Sequence, residues 1–164
     1  MESADEESDV CFQSKYADVG SFGSGDATLE QDHFVTTNLV DGIDRYSLSQ
    51  MQLLRHYRQD VKVNVPLQVR LVNDGSWVVV GGDDSCAYVY KLQTGLLVQT
   101  LKHADGGRIQ TITVSVHLYF LSLMFLKVHE SPSNGFIATA STNPGKESTI
   151  EIWRFDCQVG TCFC

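Results

Sequence analysis

The sequence predicts an all-β protein assembled from repeated antiparallel units, and three observations predict it. From His33 onward, short runs rich in Val, Ile, Thr, Tyr and Phe are broken by the turn signals VDG, NDG, GGDD and TG, the composition of strands joined by tight turns. The run SCAYVYKL alternates, setting Ala87 and Val89 on one face and Tyr88 and Tyr90 on the other; both faces are partly apolar, as in a sheet held between two others. The same grammar then returns. Tyr46 and Tyr90 stand 44 residues apart, each near the end of a strand that follows an Asp-containing turn. A unit of about 40 to 45 residues holding several strands has the period of a propeller blade.

Taken in order, residues 1–32 read as an acidic flexible arm. Glu2, Asp5, Glu6, Glu7, Asp9, Asp18, Asp26, Glu30 and Asp32 face one base, Lys15, and so few apolar residues cannot offset the entropy of ordering. Inside it, GSFGSG (20–25) has the glycines of a phosphate loop, but no Lys-Ser/Thr pair and no helix follows, so a linker is expected. Residues 33–156 form the strand-rich domain, in units of about 33–57, 64–101 and 107–155. In the first unit, HFVTTNL and IDRYSLS flank VDG. Ser47 and Gln50 have the spacing of a helix capping box, whereas the repeat argues for an outer strand over LLRHY. The second unit is the most regular: QVRLV, NDG, SWVVV, GGDD, SCAYVYKL, TG, LLVQTL. The third runs from GGRIQTITV through GFIATAS to STIEIWRF.

One stretch interrupts the third unit. VSVHLYFLSLMFLKV (114–128) is too apolar for a loop and too short for a transmembrane helix, which needs about 20 residues. Tyr90 and Trp153 are 63 residues apart, or 49 once Ser115–Val128 are set aside. These residues are therefore expected to be an insertion, such as a retained intron read in frame. A long hairpin arm or a buried strand is the alternative, and exposure would make the stretch an aggregation hazard. The tail, 157–164, holds Cys157, Cys162 and Cys164. Their spacing lacks the paired Cys-x2-4-Cys of a zinc site and no His cluster accompanies them, so no metal is expected.

Composition narrows the function classes. A chain of 164 residues, 43% hydrophobic, has the size of one domain with a substantial core. Its net charge of −8 and pI near 4.9 supply no basic footprint for nucleic acid or an anionic membrane. MESADEESDV is acidic where a secretory signal would be basic and then apolar. Five cysteines, an odd number, argue against a disulfide framework. An intracellular location, cytoplasmic or nuclear, is expected on those grounds.

NDGSWVVVGGDDSCAYVYKLQTGLLVQTLKH resembles the repeat of the WD-repeat (WD40) β-propeller family. Asn73-Asp74-Gly75 stands at that family's turn between its first two strands, and Asp83-Asp84 at the turn carrying its structural Asp. Tyr90 takes the place of the Trp of the Trp-Asp pair, with Lys91 where Asp is preferred; Thr94-Gly95 matches the turn into the outer strand, and Lys102-His103 the Gly-His pair. Trp153-Arg154 keeps the Trp of a third repeat and loses the Asp. The likeness covers residues 33–155, about two and a half repeats, and the NLVDGID texture is similar to fungal WD-repeat proteins. It implies a partial β-propeller of four-stranded antiparallel blades, incomplete as a ring, in which Asp74, Gly75, Asp84, Tyr90, Gly95, His103 and Trp153 are structural. Asp84 is expected to accept the bonds that lock the blade, with Asp83 its exposed neighbour.

The function the resemblance implies is a non-catalytic protein–protein interaction platform with no cofactor, the chain itself being a truncated product. Its partner would be a protein or peptide, a basic one given the acidic charge; self-association through open sheet edges is a further expectation. Two other readings stand beside it. One is a fragment with no independent function. The other is a hydrolase, but no Gly-x-Ser-x-Gly elbow accompanies His33, His56, His103, His117 and His129. A GGDEF-type cyclase would need Glu-Phe after GGD. Gly81-Gly82-Asp83-Asp84 is therefore read as a hairpin turn.

Overall fold

The structure, a computed structural model, describes residues 22–28, 32–63, 65–72, 75–104, 106–117 and 134–156. Among these there is no helix. Eleven strands form three antiparallel sheets, none closed on itself. The first sheet holds β1 (Phe22–Thr28), β2 (His33–Asn38), β3 (Gly42–Ser47) and β4 (Leu53–Arg58), in that order across the sheet. The second holds β5 (Val69–Val72), β6 (Trp77–Val80), β7 (Cys86–Lys91) and β8 (Leu97–Lys102). The third holds β9 (Arg108–His117), β10 (Asn134–Thr142) and β11 (Thr149–Asp156). Each is an antiparallel meander, because strands consecutive in the sequence lie side by side in the sheet.

The first two sheets repeat strand by strand. Phe34 pairs with Tyr46 as Val78 pairs with Tyr90, and Gly25 pairs with Thr36 as Val69 pairs with Val80. A bulge falls between Arg45 and Tyr46, and again between Val89 and Tyr90. Every one of these positions is displaced by the 44 residues that separate Tyr46 from Tyr90. A bulge adds one unpaired residue and sharpens the local twist, so its recurrence gives the two outer strands the same bend.

The sheets stack face to face, with the second in the middle. Val35, Ile43 and Tyr57 pack on Val69, Val78, Val80 and Tyr90 to make one core. Val72, Val79, Ala87, Val89 and Leu101 pack on Ile109, Ile112, Ile137 and Phe155 to make the other. Strand β7 thus sends Tyr90 to one side and Ala87 and Val89 to the other, which is why its sequence is apolar on both faces. Between sheets, β1 approaches β5 and β5 approaches β9, so the first strands are neighbours.

Two sequence expectations need correction here. Phe22–Thr28 lies inside the stretch read as a flexible arm, and the presumed GSFGSG linker overlaps β1. Gly and Ser weaken a strand alone, but this one is paired along β2 and tied further. The Thr37 hydroxyl accepts from the Ser24 N–H at 2.9 Å, and Asp26 Oδ2 accepts from the Leu71 N–H at 2.9 Å. The first unit is therefore a full four-stranded sheet beginning at residue 22. Likewise Ser115–His117, assigned to the insertion, continue β9 and pair with Phe136–Asn134; residues 118–133 lie outside the described residues, as do 1–21 and the 157–164 tail. The SLSQ segment caps no helix: Leu53–Arg58 is the outer strand β4.

Candidate functional site

The most chemically developed point lies where the second sheet hands over to the third. His103 is the first residue after β8, and its backbone N–H donates to the Ser85 carbonyl at 2.8 Å. That bond holds the ring against β10. Its Nε2 lies 2.6 Å from Thr139 Oγ1, and the indole N–H of Trp153 donates to the same oxygen at 2.9 Å. The two rings stand 6.1 Å apart, and Glu151 Oε1 is 3.7 Å from His103 Nδ1. Thr139, Glu151 and Trp153 share one face of the β10–β11 pair because the three alternate in register.

Hydroxyl, imidazole and carboxylate in that order are the ingredients of a nucleophilic triad. Their surroundings argue for a different use. Thr139 is 0% exposed and His103 1%, so no substrate carbonyl can reach the hydroxyl. Trp153 also occupies one of its lone pairs. What the arrangement does is satisfy buried polar groups while pinning the end of β8 to the middle of the next sheet.

The same device recurs one repeat earlier with different chemistry. Gln59, 44 residues before His103, follows β4 directly and is buried. Its Nε2 donates to the Gly81 carbonyl at 2.9 Å, at the end of the second strand of the next sheet. The 81–85 turn adds a second tie: Asp83 Oδ2 accepts from the backbone N–H groups of Lys62 and Val63 at 2.6 and 2.5 Å. Asp84 is exposed and accepts from the Tyr88 hydroxyl. The expected division of roles is thus reversed, with Asp83 joining the connection to the turn and Asp84 serving its own hairpin. The physical reason is reach, because the 61–63 backbone passes beside Asp83.

The remaining polar groups are also engaged within the sheets. Asp44 Oδ1 lies 2.7 Å from His56 Nδ1, and Asn38 donates to Asp44 Oδ2 at 3.2 Å. His56 Nε2 faces Asp41 at 3.5 Å, so both its nitrogens look toward carboxylates and neither toward a hydroxyl. Arg45 reaches His33 Nε2 at 2.6 Å and the Leu92 carbonyl at 3.1 Å; the Tyr57 hydroxyl donates to that same carbonyl. The Ser47 and Ser49 hydroxyls and the Ser49 N–H hold the Asp32 carboxyl below the usual range. Burial, then the adjacent Asp84, pushes the Tyr88 hydroxyl well up, and burial raises the Cys86 thiol. Among the described residues no group of three or more His, Cys, Asp or Glu is arranged to hold a metal. A small cleft between the first two sheets, lined by Thr37, Asn38, Gln59, Leu67 and Val80, has a volume of about 10 Å³, room for about one water and far below the ~300–1,000 Å³ of small-molecule sites.

Of the positions expected to be structural, the structure brings together His103 and Trp153. Tyr90 lies in the first core. Gly75 and Gly95 sit in turns at φ of 79° and 75°, where a side chain would be strained. Asn73 and Asp74 lie outside the described residues, as do the side chains of His117 and His129. Thr139, Glu151 and Gln59 are the residues that sequence reasoning passed over, and Asp83 is the one it read as merely exposed. For Gln59 the signal was present, since it stands one repeat before His103. The chain matches no family model. No helix among the described residues is long and apolar enough to cross a membrane.

Proposed function

We propose that the three sheets are blades of a WD-repeat type β-propeller and that the chain is a non-catalytic protein–protein interaction platform. The observation that carries this reading is the strand-by-strand recurrence at 44 residues, bulge included. Support comes from the adjacent first strands and from the His103–Thr139–Trp153 latch, placed where the resembled repeat has its Gly-His histidine and its Trp. The sealed hydroxyl speaks against catalysis. A platform works through rigid loops, and the backbone ties of Asp83, Gln59 and Leu92 give these loops a fixed setting.

The partner reading narrows. Acidic and basic side chains nearly balance among the described residues, so the acidic surplus falls mainly on residues outside them, with the 1–21 segment prominent. A basic partner would be steered by that segment, while sheets and loops supply shape. The test has two arms. Fluorescence anisotropy with Lys/Arg-rich peptides should show binding that weakens as salt screens the charges; no binding at low ionic strength removes the basic partner. Turnover of simple esters or phosphate esters, lost on changing one histidine in a variant that still melts cooperatively, would overturn the platform reading.

A further inference from the structure

Ile150 and Ile152 stand 72% and 70% exposed on one face of β11. Register identifies their counterparts. Ile137 pairs with Trp153 as Val78 pairs with Tyr90 and Phe34 with Tyr46. On that alignment Ile150 occupies the place of Ala87 and Ile43, Ile152 that of Val89 and Arg45, and Ala138 that of Val79 and Val35. Ile43 and Val35 are buried against the second sheet, and Ala87, Val79 and Val89 against the third. Arg45 also turns toward the second sheet, donating to the Leu92 carbonyl. The face that is covered twice inside the molecule is thus open on the third sheet, and exposed Phe136 extends it.

The opposite face lies at the other end. On the first sheet, Ala27, Phe34 and Tyr46 take the places of Leu71, Val78 and Tyr90. All three counterparts belong to or pack on the core between the first two sheets. In the third sheet the same places are held by Val114, Ile137 and Trp153, which belong to or pack on the other core. Phe34 and Tyr46 form an aromatic pair with centroids 6.4 Å apart, and Ala27 is exposed. One molecule therefore carries both halves of an interface that it already builds twice.

We propose that a second copy of this chain covers the open face head to tail: the β9–β11 face of one copy seats on the β1–β4 face of the other, and the reverse contact closes the pair. Such an interface is heterologous and yields a ring when the rotation closes. Two copies bring six sheets, within the 4 to 8 of closed propellers. A three-stranded face of this length has a footprint of about 400 Å². Two such contacts cover roughly 1,600 Å² in total, counting both partners, the size of a standard stable interface. The inference rests on the blade reading of the fold and is independent of what the platform binds.

Sedimentation velocity of the full chain over a wide dilution series tests it. The expected species has twice the 18.2 kDa chain mass. The double variant Ile150→Asp, Ile152→Asp and the single variant Ala27→Arg each weaken the dimer by about 30-fold or more, the scale of an interface hot spot, with far-UV spectra unchanged because these sites are exposed. Mixing the two variants yields a heterodimer tighter than either variant alone but weaker than wild type, since the intact β1–β4 face of the first meets the intact β9–β11 face of the second and only the reverse contact is lost. A wild type that stays monomeric and melts cooperatively overturns the docking alone. Association that persists in Ala27→Arg, or variants that fail to complement, overturns the head-to-tail geometry. Growth past the dimer into open chains overturns the ring, and with it the propeller reading.

Discussion

Replacing Thr139 by Val tests the latch between the second and third sheets. The substitution keeps the branched shape and removes only the hydroxyl, so no cavity opens in a residue that is 0% exposed. Two groups lose that partner, the His103 ring at 2.6 Å and the Trp153 indole at 2.9 Å. Each polar group left without its bond in a buried site costs about 1–2 kcal/mol, giving about 2–4 kcal/mol for the pair. For a chain of this size that is a fall in Tm of about 4–16 °C. Urea melts followed by the fluorescence of the two tryptophans, Trp77 and Trp153, measure it, with Trp153 reporting at the altered site. Thr139→Ser is the control: it retains the hydroxyl, loses one methyl, and should cost about 1 kcal/mol. The reasoning is refuted if Val lies within about 0.5 kcal/mol of wild type, or if Ser is as damaging as Val.

Other consequences follow from the same contacts. Asp83→Ala removes the acceptor for two backbone N–H groups and should cost about 1–2 kcal/mol, whereas Asp84→Ala, at an exposed carboxylate, should stay within about 0.5 kcal/mol; equal losses in chemical denaturation would contradict the assigned roles. A Cβ on Gly81 would stand 1.9 Å from the Ile109 carbonyl oxygen, so Gly81→Ala must part the second and third sheets, with a loss of about 2–3 kcal/mol or more readable as a lowered urea midpoint. Alkaline stability should depend on Tyr88. Its folded pKa is raised above the ordinary 10.0, so the folded state keeps a proton that the unfolded state releases. The contribution is whole below pH 10 and is lost as pH rises beyond it. Stability of Tyr88→Phe should therefore fall less steeply above pH 10 than wild type; parallel slopes would remove the linkage. Tyr46, Tyr57 and Tyr90 shift the same way, so some slope remains in the variant.

Much of this architecture is legible along the chain. Strand content and the tight turns follow from residue types and short-range alternation, which act between neighbours in sequence. That β7 is covered on both faces was readable from SCAYVYKL, because period-two alternation with apolar residues in both phases has one structural meaning. The 44-residue spacing of Tyr46 and Tyr90 pointed to a repeat, since it sets the same residue type at the same place in two strands with the same turn signals. The tertiary structure alone decided where the repeat begins. FGSGDAT has no strand pattern of its own; β2 and the Leu71 N–H make it one, and they lie far away in sequence. It also decided which aspartate of the 83–84 pair joins two connections, because that depends on which backbone passes within hydrogen-bond reach. Thr139 became the centre of a latch, and Ile150 and Ile152 became an open face, for the same reason. Burial and pairing are properties of what lies across the sheet, and only the folded chain brings that opposite surface into place.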